Sequence, residues 1–188
     1  EEVRYEHSPG RGDDAYTGDH SAIDVAVMYL RRDGRRGLLG FEVKYHENLD
    51  SKETLDPAKV AALLDPNDPD AVNDLTRAPL VQFVRDHLLV RAIGRVDASE
   101  YPAGATWVLL FPGENTTVAR AAAKYQVVTS ASDTAFITLE QFLAAAERLV
   151  PDGTWVHAVR ARYLDQDQLS HLGVKRQVPR PEASTWWR

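Results

Sequence analysis

Short apolar runs and longer amphipathic ones alternate along the 188-residue chain. The first clear run is Ala22-Ile23-Asp24-Val25-Ala26-Val27-Met28-Tyr29-Leu30. It is near-continuous, short and β-branched, which is the pattern of a buried strand. Arg31 to Gly37 reads as a turn built on Asp33-Gly34, a hairpin signal, and Leu38–Tyr45 as the returning strand. Residues 1–20 are polar and rich in Gly and Asp, and predict a short strand or turn at Val3-Arg4-Tyr5 followed by loop. Residues 50–73 carry Pro57, Pro66, Pro69 and many Asp, and predict loop with one short helix near Pro57–Leu64. Asp74 is placed to cap a helix reaching Ile93, because Leu80, Val81, Val84, Leu88 and Ala92 recur at helical spacing. Ala105–Phe111 is a third apolar strand, stopped by Pro112-Gly113. A helix from Thr116 or Thr117 through Tyr125, a strand at Ala135–Leu139, a helix at Glu140–Leu149 and a last helix at about Trp155–Leu164 follow, and 170–188 reads as an irregular tail. A hairpin followed by alternating strands and helices implies an α/β fold, a mixed β-sheet flanked by helices.

Composition narrows the class. Hydrophobic residues make up 44% and charged residues 27%, enough for a real core, and the length suits a single domain over 1–188. No apolar run is long enough to cross a bilayer, so no membrane association is expected. The opening Glu1-Glu2-Val3-Arg4 lacks an initiator Met, and the N-terminus is read as incomplete. With no cysteine, disulfides, thiolate metal sites and a Cys nucleophile are excluded, which fits a cytoplasmic protein. The net charge of -6 argues against a module that simply coats nucleic acid. It argues less against an enzyme whose centre needs carboxylates. The six histidines show no HxH or HExxH spacing, and no Walker loop, GxSxG elbow or dinucleotide fingerprint appears.

Three charges interrupt the apolar strands: Asp24 in the first, and Glu42 and Lys44 in the second. An ionised group in a buried strand is costly unless paired or bound to metal. Side chains alternate along a strand, so Glu42 and Lys44 share a face. A two-residue Asp33-Gly34 turn would set Asp24 opposite Val43, on the wrong face. A three-residue Arg32-Asp33-Gly34 loop, with Gly34 left-handed, pairs Arg31 with Arg35 and sets Asp24 opposite Glu42. That register is the expected one. Two carboxylates on neighbouring strands, with the Val43 carbonyl as a further hard oxygen, suit Mg²⁺, which keeps waters and accepts phosphate oxygen. Lys44 would add positive charge for an attacking water or a phosphate.

Asp24 with Glu42-Val43-Lys44 resembles the motif of the PD-(D/E)XK nuclease superfamily, the restriction-endonuclease-like fold. The segments Tyr5 to Arg11, Ser21 to Asp24, Gly40 to Glu47, Gln82 to Leu89 and Trp107 to Pro112 are similar to a group of stand-alone bacterial nucleases within it. The resemblance runs loosely from about residue 3 to 150. It departs from the motif at Ile23, where the superfamily's name has Pro. It implies a restriction-endonuclease-like core and metal-dependent hydrolysis of DNA, with Mg²⁺ (Mn²⁺ substituting) held by Asp24, Glu42 and the Val43 carbonyl. It also implies a part in bacterial defence or DNA repair, and action as a homodimer or in a larger complex. Many members add a glutamate from an upstream helix, for which Glu6 is the candidate here. Glu47, Gln82 and Arg85 are supporting candidates.

Plainer readings stand beside these. Asp24 alone suits a structural carboxylate accepting backbone N–H groups, and Glu42 and Lys44 suit a solvent-facing pair. Arg31, Arg32, Arg35 and Arg36 suit either phosphate contacts or a solvated hairpin tip. Trp186-Trp187-Arg188 suits a stacking surface or a tail pinned to the core. At the level of function the competitors are a catalytically silent module for binding or assembly and a nuclease that cuts RNA.

Overall fold

A computed structural model describes residues 2–45, 49–61, 69–129, 131–150 and 152–165. The chain divides into two compact units, residues 1–139 and 140–188. The first holds a five-stranded mixed sheet in the order β1 (Glu2–His7), β2 (Ile23–Leu30), β3 (Arg36–Val43), β4 (Ala105–Phe111) and β5 (Thr134–Thr138). The first three strands form an antiparallel meander, and β4 and β5 join parallel to β3. Parallel neighbours need a crossover. Helices α1 (Pro57–Ala61), α2 (Pro69–Leu75) and α3 (Val81–Val96) lie in the connection from β3 to β4, and α4 (Thr116–Thr129) in that from β4 to β5. In the second unit, α5 (Leu139–Leu149) and α6 (Thr154–Tyr163) carry Leu143 and Val156 as their buried residues. This is the mixed sheet with helices that the pattern implied.

The hairpin takes the expected register. Gly34 has φ 81°, its N–H donates to the Arg31 carbonyl at 2.9 Å, and the Arg31 N–H donates to the Arg35 carbonyl at 2.9 Å. From there the ladder runs through Leu30 opposite Arg36 to Val25 opposite Phe41. Leu38 and Gly40 on β3 and Ala26 and Met28 on β2 are buried. Gly40 is the point of closest approach to α3: a Cβ there would stand 2.5 Å from Val90 Cγ2. Around this contact Ile23, Phe83, Val84, Val90, Ile93, Trp107 and Tyr125 belong to one core.

One expected helix is two. The reading of 74–93 as a single helix capped by Asp74 is corrected: Asp74 lies inside α2, and the chain turns at 76–80 before α3 begins. Pro79 explains the break, because it lacks an N–H and disfavours helical backbone at Ala78. The expected loop over 50–73 correspondingly gives its end to α2. Helix α4 continues to Thr129, past the expected stop at Tyr125. No helix among the described residues is long and apolar enough to cross a membrane.

Candidate active site

The ladder between β2 and β3 ends at Val25 opposite Phe41, and Asp24 opposite Glu42 is the next rung. There the backbone pairing gives way to a side chain: Asp24 Oδ2 accepts the Val43 N–H at 2.8 Å. Strand β3 meanwhile stays on β4, with the Lys44 N–H donating to the Leu110 carbonyl at 2.9 Å. Asn115 ties down the next residue, its amide donating to the Tyr45 carbonyl at 3.2 Å while its Oδ1 accepts the Val118 N–H near the start of α4. The three charged residues thus sit at the carboxyl end of β3, where open α/β sheets place their ligands.

Glu42 is 6% exposed and Lys44 Nζ donates to its Oε1. Only 12% of the Lys44 side chain is accessible, so this is not the solvent-facing pair of the plainer reading. Burial pushes the Glu42 carboxyl above its ordinary pKa; Lys44 and Arg85 pull it back, and Asp24 adds to the rise. Asp24 is half-buried. Its hydrogen bond to Val43 shows that it has the structural role of the plainer reading, and the register gives it a place in the cluster as well.

Helix α3 adds a residue that sequence reasoning missed. Asp86 is 4% exposed and its carboxyl is pushed well above the ordinary range, first by burial and then by the charge of Glu42. Its Oδ2 has no hydrogen-bond partner among the described residues, and neither has the buried Oε1 of Gln82 one helical turn earlier. The sequence signal for Asp86 was weak: a charge four residues after Gln82 and four before Val90, on the stripe that Gly40 admits to the sheet. Arg85 turns its guanidinium to Glu53 at 2.8 Å and lies 3.8 Å from Asp86 Oδ1. Its charge still bears on Glu42. Gln82 and Arg85 therefore belong to the turn of α3 that carries Asp86.

Other candidates are not drawn in. Glu6 holds the register position facing Asp24 from β1, between Tyr5 opposite Val25 and His7 opposite Ile23, but it is exposed and has a left-handed φ of 47°. Arg31 and Arg35 pair with Asp33, and Arg36 with Glu100. That tip is six strand residues from Glu42, roughly 20 Å. His46, Glu47 and Trp186 to Arg188 lie outside the described residues.

The donor set can be weighed against a divalent cation. Among the described residues no group of three Asp, Glu or His side chains closes into a metal cage. Mg²⁺ does not need one: it takes one or two carboxylates and keeps waters. The free oxygens of Asp24 and Glu42, with the buried unbonded oxygens of Asp86 and Gln82 on α3, fit a hard cation and its water.

The family model for the PD-(D/E)XK nuclease superfamily matches residues 1–165. No curated protein and no solved structure matches the chain.

Proposed function

The chain belongs to the PD-(D/E)XK nuclease superfamily, and from that premise we propose that it hydrolyses DNA phosphodiester bonds with a divalent metal ion held by Asp24 and Glu42. The observation that carries this reading is the β2–β3 register: continued one rung past Val25 opposite Phe41, it brings Asp24 opposite Glu42, to which Lys44 is bonded. Bound Mg²⁺, or Mn²⁺ in its place, supplies charge neutralisation at the phosphate and a more acidic water.

The chain's own residues do the rest. Glu42 offers Oε2 while Lys44 occupies Oε1. Asp24 offers Oδ1 while the Val43 N–H fixes Oδ2, and the Val43 carbonyl is the third protein oxygen. The Lys44 ammonium, largely withdrawn from solvent, sits where it can stabilise charge building on a phosphate oxygen, an effect that strengthens as water is excluded. Arg85 supports the same charge from α3. Defence against foreign DNA, or DNA repair, is the biological setting that fits.

The test is cleavage of plasmid and linear DNA, with RNA alongside, in Mg²⁺, Mn²⁺ and EDTA. Asp24→Asn, Glu42→Gln and Lys44→Ala should each lose about a hundredfold or more in rate, and EDTA should stop the parent. Cleavage of RNA alone would keep the chemistry and replace the substrate. Unaltered cleavage in the variants would remove the centre.

A further inference from the structure

Between α3 and the loop joining β1 to β2 lies a cavity of about 660 Å³, within the range of sites for small organic ligands. Leu55, Leu88 and Ala92 line it with apolar surface. Tyr16 lines it as well, its ring fixed by a hydroxyl that donates to the Asp97 carboxylate at 3.1 Å. Four cations also reach the cavity, and they differ in their partners. Arg85 is paired with Glu53 and Arg91 with Asp133. Lys59 and Arg95 meet no carboxylate among the described residues. Lys59 Nζ donates to the Thr17 carbonyl at 2.8 Å and Arg95 to the Ala15 carbonyl at 3.0 Å, so each keeps spare donors outside any ion pair. Asp14 and Asp19 line the cavity too. Asp19 is committed to its own loop, accepting the Thr17 hydroxyl at 2.8 Å and the Ser21 N–H at 2.9 Å. Arg85 joins this cavity to the centre, since it lines the one and its charge acts on Glu42 in the other.

An apolar surface, an aromatic ring and two cations outside any contact ion pair form the complement of one nucleotide. We propose that the cavity takes a single unstacked nucleotide of a single-stranded nucleic acid, with its base against Leu88 and Tyr16 and its phosphate between Lys59 and Arg95. The adjoining phosphate of the same strand then reaches the Asp24–Glu42–Lys44 centre, and only this last placement rests on the nuclease reading. A base held in a duplex would have to leave its stack to enter, which favours a single strand. Aromatic rings and cations together are the usual means of gripping single strands.

Binding in EDTA tests this apart from cleavage. Fluorescence anisotropy with a labelled oligothymidylate and with a duplex of equal length should show the single strand bound more tightly. Lys59→Gln combined with Arg95→Gln should weaken single-strand binding about tenfold and reduce the salt slope by about 0.7, the value for one lost phosphate contact. Tyr16→Leu removes the ring proposed to meet the base without changing charge, and should weaken the single strand about tenfold while sparing any duplex binding. Binding is read in EDTA, where no cleavage occurs, so that failure of the nuclease reading appears in cleavage and failure of this proposal in binding. Circular dichroism melting checks that each variant folds, and Tyr16→Leu decides alone if the double variant does not. A parent that prefers duplex, or a Tyr16→Leu variant that binds the single strand like the parent, overturns the proposal.

Discussion

Burial raises the carboxyls of Glu42 and Asp86. A carboxyl whose pKa is higher folded than unfolded takes up protons on folding, so its ionisation opposes folding above the unfolded value. Asp86 is such a group, raised well above 3.8 by burial and by Glu42. Asp86→Asn is therefore expected to be more stable than the parent in metal-free solution at neutral pH, by about 1 kcal/mol or more. The difference should shrink as the pH falls toward 3.8, where the unfolded parent also holds its proton. Thermal unfolding in EDTA at pH 4 and pH 7.5 measures it. An equal gap at both pH values would show that Asp86 acts by shape and not by charge. At this scale the sequence revealed Asp24, Glu42 and Lys44, because charges in apolar strands stand out against their neighbours. Asp86 stayed hidden because a helix carries charges on several faces. Only the packing of α3 on Gly40 decides which face is buried.

Two glycines position the elements that carry these residues, for different reasons. Gly34 sets the hairpin register through its left-handed backbone, and a Cβ there would meet nothing within 4 Å. Gly34→Ala should therefore cost only its conformational penalty, about 1–2 kcal/mol. Gly40→Ala should cost about 1–3 kcal/mol through overpacking, since Val90 is β-branched and gives way poorly. It should also lift α3 from β3 and lower activity beyond the loss of folded protein, whereas Gly34→Ala leaves α3 in place. Urea unfolding alongside cleavage rates separates the two. The hairpin was legible because Asp33-Gly34 limits the loop to a few geometries, and each geometry puts Asp24 on a definite face. The α2–α3 break was missed because apolar periodicity continued across Pro79, although a proline there argued for an interruption.

Across the molecule, α3, β4, α4 and the turn before β5 meet at one buried polar cluster. His87 accepts from or donates to the Tyr125 hydroxyl at 2.8 Å through Nδ1, stacks on Trp107 at 15°, and has Nε2 3.2 Å from Asp133 Oδ1. Burial lowers the His87 pKa, although Asp133 draws it upward. Burial would raise the Asp133 carboxyl, but His87 and Arg91 together outweigh it and hold the group well below its usual range. Both shifts oppose folding in acid. Below about 6.5 the unfolded state takes a proton that buried His87 resists, and below about 3.8 it takes one that Asp133 resists. Stability should fall in two stages on acidification, and Asp133→Asn should shrink the lower stage. Circular dichroism melts from pH 7.5 to pH 3 are the measurement, with an unchanged lower stage as the contrary result. The sheet-and-helix class could be read from the order of apolar runs, but this cluster could not, because it joins residues 38 to 46 positions apart.

The central claim is that Asp24, Glu42 and Lys44 form a metal-dependent hydrolytic centre. The most direct test is the initial rate of plasmid nicking in Mg²⁺ for the parent, Asp24→Asn and Lys44→Ala, with an EDTA control and matched melting curves. Cleavage by the parent that EDTA stops, and that falls about a hundredfold or more in both folded variants, is the expected result. Rates in the variants equal to the parent's, or an inert parent on DNA and RNA alike, would contradict it.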